Sequence, residues 1–119
     1  MASTTFSGPV TSTAGFIGST TGIEIATIQS LTGAGAVNVT TATTVLTSTG
    51  AAQALTLANG VVGQIKRVIH VVDGGSSVLN PTTKVGFSTI TFTNVGESAT
   101  LQFTSVGWAI VGLFGAVAA

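Results

Sequence analysis

The chain has 119 residues, of which 45% are hydrophobic and 5% charged: three Lys or Arg, three Asp or Glu, and a formal net charge of zero. Three basic residues are too few to track a phosphate backbone, which argues against nucleic-acid binding. The absence of Cys excludes a disulfide framework and thiol chemistry and leaves the compartment open.

Soluble domains carry about 25% charged residues. So uncharged a chain either coats itself with Thr and Ser or has much of its surface covered by sister subunits or a larger assembly, and both can hold. Residues 1–22 are small and polar, with Phe6, Pro9, Val10, Phe16 and Ile17 spaced along them in no regular period. Such a segment has too little contiguous apolar surface to fold alone. It reads as an extended N-terminal arm, since a mere tail has no use for Phe6, Phe16 and Ile17. The opening MASTTFSGPV has neither the basic patch nor the apolar run of a signal peptide.

From residue 23 to 119 the chain reads as one antiparallel β domain. Residues 22–29 (GIEIATIQ) alternate, with Ile23 and Ile25 on one side and Glu24, Ala26 and Ile28 on the other, and predict a strand. A turn follows at 30–35. Residues 37–47 are rich in the β-branched side chains that favour pleated surfaces. Gln53 to Leu57 predicts a short strand between turns at 48–52 and 58–60. Residues 64–72 (QIKRVIHVV) are nearly apolar in their second half, which predicts cover on both faces. Asp73-Gly74-Gly75 closes that strand, 77–79 is a short strand, and 80–84 is a loop in which Pro81 opposes a central ladder position.

Three runs near the end carry the clearest signals. In 88–95, Ile90 and Phe92 oppose Thr89, Thr91 and Thr93. In 98–105, Ala99, Leu101 and Phe103 oppose Thr100, Gln102 and Thr104. In 108–112 both faces are apolar, which predicts a strand covered on both sides. Gly- and Asn-containing breaks separate them, so the runs predict a three-stranded meander. No stretch has a helical period. The whole predicts an all-β fold, a small antiparallel sandwich or barrel. Residues 106–119 are apolar but shorter than the about twenty that a membrane helix needs.

Chemistry-bearing residues are few. His70 lies mid-strand, and one His with Glu24, Asp73 and Glu97 is a thin inventory for acid–base catalysis; a structural His or a contact residue is the better reading. No set of metal ligands has a recognisable spacing, and no cofactor is called for. Asp73-Gly74-Gly75 lacks the run of oxygen ligands of a calcium loop and reads as a tight turn. Gly33-Ala34-Gly35 lacks the third Gly of a phosphate loop. Lys66 and Arg67 are adjacent, so on a strand they face opposite ways. One can be exposed. The other then requires an acid, Glu24, Asp73 or Glu97, unless it is a charge that blocks edge pairing.

The segments GQIKRVIHVVDGGSSVLNP, STITFTNVGESATLQF and WAIVG follow one another between residues 63 and 112. In that order they resemble a module of tailed-bacteriophage virion proteins, found in trimeric head-decoration and fibre proteins. The resemblance covers about half of the chain. A short chain with one copy of the module is closer to a capsid decoration (cement) protein than to a fibre. The resemblance implies a structural, non-enzymatic homotrimer bound to the major capsid protein on the outer surface of the head, with no membrane or nucleic-acid partner. The arm residues Phe6, Pro9, Val10, Phe16 and Ile17 are then candidates for capsid binding. Trp108, Ile110, Val111 and Phe114 are candidates for the subunit interface. The alternative is a tail-fibre or spike component that recognises a host-surface ligand. Two remoter rivals are a small hydrolase using His70 and a membrane proteolipid built on the apolar C-terminal stretch.

Overall fold

The computed structural model describes residues 7–9 and 28–119. The predicted arm residues Phe6, Val10, Phe16 and Ile17, the first part of the predicted strand at 22–29, and Glu24 lie outside the described residues. Pro9 is exposed.

The described chain is all-β. Its strands are β1 (Ile28–Thr32), β2 (Gly35–Val37), β3 (Thr43–Thr47), β4 (Gln53–Leu57), β5 (Ile65–Val72), β6 (Ser77–Pro81), β7 (Lys84–Val85), β8 (Ile90–Phe92), β9 (Ser98–Thr104), β10 (Gly107–Phe114) and β11 (Val117–Ala118). They form two sheets, one in the order β1-β3-β5-β9-β10-β7 and the other β11-β8-β6-β4-β2. From β1 to β6 the chain alternates between the sheets, and each strand pairs in parallel with the one two before it. This half is therefore wound as stacked coils, in the manner of a β-solenoid. The second half closes the stack with reversed strands. β9 pairs antiparallel with β5 and β10 with β9; in the other sheet β8 pairs antiparallel with β6 and β11 with β8.

Successive coils are stitched at their corners by main-chain hydrogen bonds. Gly33 N donates to Thr47 O, Ser48 N to Val72 O, and Ser76 N to Gly50 O, at 2.9 to 3.0 Å. The corner at Asp73-Gly74-Gly75 lies directly on the one at 48–50. A Cβ at Gly74 would come within 2.4 Å of Ser48 O, and one at Gly75, whose φ is 150°, within 2.2 Å of Gly50 O. The tight turn expected there is required by close backbone approach as well as by local conformation.

The core lies between the sheets. Leu46, Val68, Ala99, Leu101 and Trp108 come from the first, and Val37, Leu55, Leu57, Leu79, Ile90 and Phe92 from the second. Each fully buried Leu, Ile or Phe contributes about 2 kcal/mol through apolar burial. Trp108 also donates its indole N–H to Ala58 O at 2.9 Å and meets Phe103 edge-on, with centroids 5.1 Å apart.

Several expectations are corrected. The fold is all-β, but its first half is parallel, not the antiparallel sandwich or barrel read from the pattern. Alternation reports which side chains face inward and is blind to strand direction. The three-stranded meander is reduced to the β9–β10 hairpin, because Ile90 and Phe92 fill the core from the opposite sheet. The run at 37–47 is broken: residues 38–42 leave the ladder and β3 starts at Thr43, because Asn38 and Thr41 turn their polar groups onto each other. The turn expected at 30–35 shrinks to Gly33-Ala34. Pro81 ends β6 opposite Leu57 inside the sheet; its missing N–H disturbs nothing, since β8 pairs only with Ser77, Val78 and Leu79. Neither β5 nor β10 is covered on both faces: Ile65, Val72, Val111 and Phe114 are exposed.

Replacing Gly75 by Ala is expected to cost about 2 kcal/mol or more in chemical denaturation, because φ and the Gly50 carbonyl both oppose a Cβ. Gly112→Ala, where a Cβ meets nothing within 4 Å, is the control and should leave the midpoint unchanged or raised.

Candidate functional site: a discharged, apolar exterior

The chain has six charged residues, and the fold withdraws two of them. Lys66 is completely buried and Glu97 nearly so. Arg67, Asp73 and Lys84 are the charges that reach the described surface. The described surface also exposes large apolar side chains: Ile28, Ile65, Val71, Val72, Val95, Val111, Phe114 and Val117, among others. Register brings some apolar side chains together. Ser98 pairs with Ile69 on one side and Phe114 on the other, so those two side chains flank it on the outer face of the first sheet. Phe114 is 72% exposed and Val111 63%. Burying side chains of this size is worth about 2 kcal/mol each, so this face gains from a covering partner.

Farther along the same face, Ala42, Ile65, Arg67 and Thr100 line an open depression. Arg67 projects outward from β5 while Lys66 projects inward, as adjacent strand residues must. Neither Asp73 nor Glu97 is the acid partner expected for the buried member, and Glu24 lies outside the described residues. Lys66 Nζ donates to Thr41 O at 2.8 Å, Thr41 Oγ1 at 3.0 Å and Asn38 Oδ1 at 3.2 Å. Three neutral oxygens match its three N–H donors, and burial pushes its pKa down to about 8.

Two residues along β5 on the inward face comes Val68, and two further His70, also without exposed surface. His70 Nδ1 lies 3.0 Å from Asn94 O and Nε2 2.9 Å from Ser48 Oγ. A carbonyl only accepts, so Nδ1 carries a proton, and in the neutral imidazole Nε2 then accepts from the Ser48 hydroxyl. Ser48 Oγ in turn accepts from Gly74 N at 2.9 Å. A Ser–His pair at this distance has the form of a nucleophile and its base. Here both members are buried, and the nearby carboxylate of Glu97 is engaged elsewhere. Thr93 N donates to Glu97 Oε2 at 2.5 Å and Asn94 Nδ2 to Oε1 at 2.9 Å. The arrangement joins a coil corner, a central strand and the turn at 94–97, and gives a substrate no access.

The Thr93 main-chain bond, with the Asn94 and Thr93 side-chain bonds, holds Glu97 below the ordinary carboxylate range despite its burial. Among the described residues no three His, Asp or Glu side chains come together as a metal site would require, and no helix is long and apolar enough to cross a membrane.

The residues proposed for the subunit interface separate. Val111 and Phe114 are exposed, Ile110 is half-buried, and Trp108 is a core residue with no surface to offer a neighbour. Sequence reasoning missed Ser48 and Asn38 as polar partners. Ser48 looked like one more turn residue, and only the coil stacking brings it to His70. No known protein-family model and no curated protein matches this sequence.

His70→Ala should lower the unfolding free energy measured by chemical denaturation by about 3 kcal/mol, because it leaves a cavity and removes a shared partner of Ser48 and Asn94. Glu97 titrates lower in the folded state than its ordinary value of 4.5. Its contribution is therefore present above that value and is lost as pH falls through the depressed folded one. Urea midpoints measured below pH 4.5 should fall more steeply for the parent chain than for Glu97→Gln.

Proposed function

We propose that this chain is a structural virion protein: a capsid decoration (cement) protein that binds the outer surface of a phage head as a homotrimer and stabilises it. The observation that supports this reading is the described exterior, which combines few charges with exposed Val, Ile and Phe side chains. A free monomer with such a surface has little protection against association, whereas a subunit of an assembly has a use for it. Three of the ionisable side chains, Lys66, His70 and Glu97, are spent inside the fold on Ser48, Thr41, Asn38, Thr93 and Asn94.

Stabilisation by such a protein is additive. Each subunit makes modest apolar and main-chain contacts with the major capsid protein, and trimer avidity and copy number multiply them. Phe114 and Val111 serve the subunit contact, with Ile110 beneath them. The N-terminal segment with Phe6, Pro9, Val10, Phe16 and Ile17 serves as the arm that reaches the capsid. It adds backbone pairing to a strand edge there.

The stacked parallel coils favour one second reading. Fibres and spikes gain length by repeating such coils, so a tail-fibre or spike component recognising a host-surface ligand is the alternative. Copy number separates the two: quantitative mass spectrometry of purified virions should find hundreds of copies for a cement protein and a handful for a fibre. Absence from the particle overturns both.

Light scattering on the purified chain should give a trimer mass, and Phe114→Ser should shift it toward monomer while circular dichroism stays unchanged. Deleting residues 1–20 should abolish binding to bare capsids and leave the trimer folded; undiminished binding removes the arm from the account.

A further inference from the structure

The polar cluster at the start of β5 contains the components of a covalent bond-forming reaction. Lys66 Nζ is buried and 3.2 Å from Asn38 Oδ1, so the amine is in direct contact with the carboxamide it would attack. That oxygen receives two further hydrogen bonds, from Thr41 N at 3.2 Å and Thr41 Oγ1 at 2.7 Å. Donors converging on a carbonyl oxygen polarise its carbon and stabilise the negative charge that develops there during attack. The Thr41 hydroxyl also lies 3.0 Å from Lys66 Nζ, so it touches both reacting side chains. Asn38 is only half-buried, and its Nδ2 donates to none of the described residues.

We propose that Lys66 and Asn38 form an intramolecular isopeptide bond, assisted by Thr41, as the folded chain matures. The free amine of Lys66 attacks Asn38 Cγ, and the carbonyl electron pair moves onto Oδ1, where the Thr41 N–H and hydroxyl hold it. The intermediate collapses with cleavage of the Cγ–Nδ2 bond. The proton released by Nζ is taken up by Nδ2, which departs as ammonia. An amine and a primary amide become a secondary amide and ammonia, with no oxidant, reductant or other co-reactant. Two features of the site favour the reaction. Burial depresses the amine pKa to about 8, which raises the fraction of nucleophilic amine near neutral pH. The fold also holds the two side chains in hydrogen-bond contact, so the step proceeds at high effective concentration. The bond ties the 38–42 return loop to the central strand of the first sheet. This inference stands on the local geometry and does not depend on the virion reading.

The test is mass spectrometry of the purified full-length chain after prolonged incubation at pH 8, with folding verified by circular dichroism. No Lys or Arg lies between residues 38 and 66, so chymotrypsin replaces trypsin for mapping. Cleavage after Leu46, Leu55 and Leu57 should leave residues 38 and 66 on one branched peptide, lighter than its two components by one ammonia. Lys66→Arg and Asn38→Ala should each abolish the loss, and Thr41→Val should slow it at least tenfold. A folded parent chain that keeps its full sequence mass overturns the proposal. So does an ammonia loss confined to a linear peptide containing Asn38-Val39, the signature of succinimide formation at that pair.

Discussion

The inner face of β5 carries the constraint on which the other parts depend. Lys66, Val68 and His70 point inward in succession, and none has exposed surface. Val68 joins the apolar core, while the flanking residues bring a cation and an imidazole into it. Neither can be left unpartnered, because an unsatisfied polar group in the interior costs several kcal/mol. Satisfying them dictates where the surrounding chain goes. Lys66 collects the 38–42 loop through Asn38 and Thr41, and His70 collects the corner at Ser48 and the turn at Asn94. One strand thus locates three connections that have no regular structure of their own.

The same economy sets the character of the outside. The chain has so few ionisable groups that committing Lys66, Glu97 and His70 to internal ties leaves little charge for solvation. Thr and Ser supply polarity without charge, and much of the remaining surface is aliphatic. Interior order and exterior stickiness are therefore linked in this fold. Each charged side chain used to position a loop is one that no longer keeps neighbouring molecules apart.

The strands that alternate cleanly were legible. Gln53–Leu57 is a strand with the bounds read from its residues, β9 covers nearly all of 98–105, and Ile90, Phe92, Ala99 and Leu101 are buried as their alternation required. Partner choice was not legible. Ile28 stacks on Thr43 and Thr43 on Arg67, Gly35 on Leu55 and Leu55 on Leu79, at unequal sequence separations, so the coils leave no repeat period to detect. The turn residues that separate β8 from β9 suit a hairpin and a crossover between sheets equally well. For the site, adjacency placed Lys66 and Arg67 on opposite faces correctly. The described partners of Lys66 were not foreseen, because a rule that pairs charge with charge overlooks neutral oxygens supplied together by one Asn and one Thr.

The two halves of the fold also differ in when they can form. Every strand from β3 to β6 finds its parallel partner already emerged from the ribosome, one coil earlier, so the stack can grow in the order of synthesis. β5 and β6 then present unpaired edges that wait for β9 and β8, the strands that reverse direction and end the stack. Until those arrive, the growing end is an open template for any extended chain. The reversed strands thus serve as a stop: they end coil addition and make a domain of defined size from an architecture that could otherwise continue.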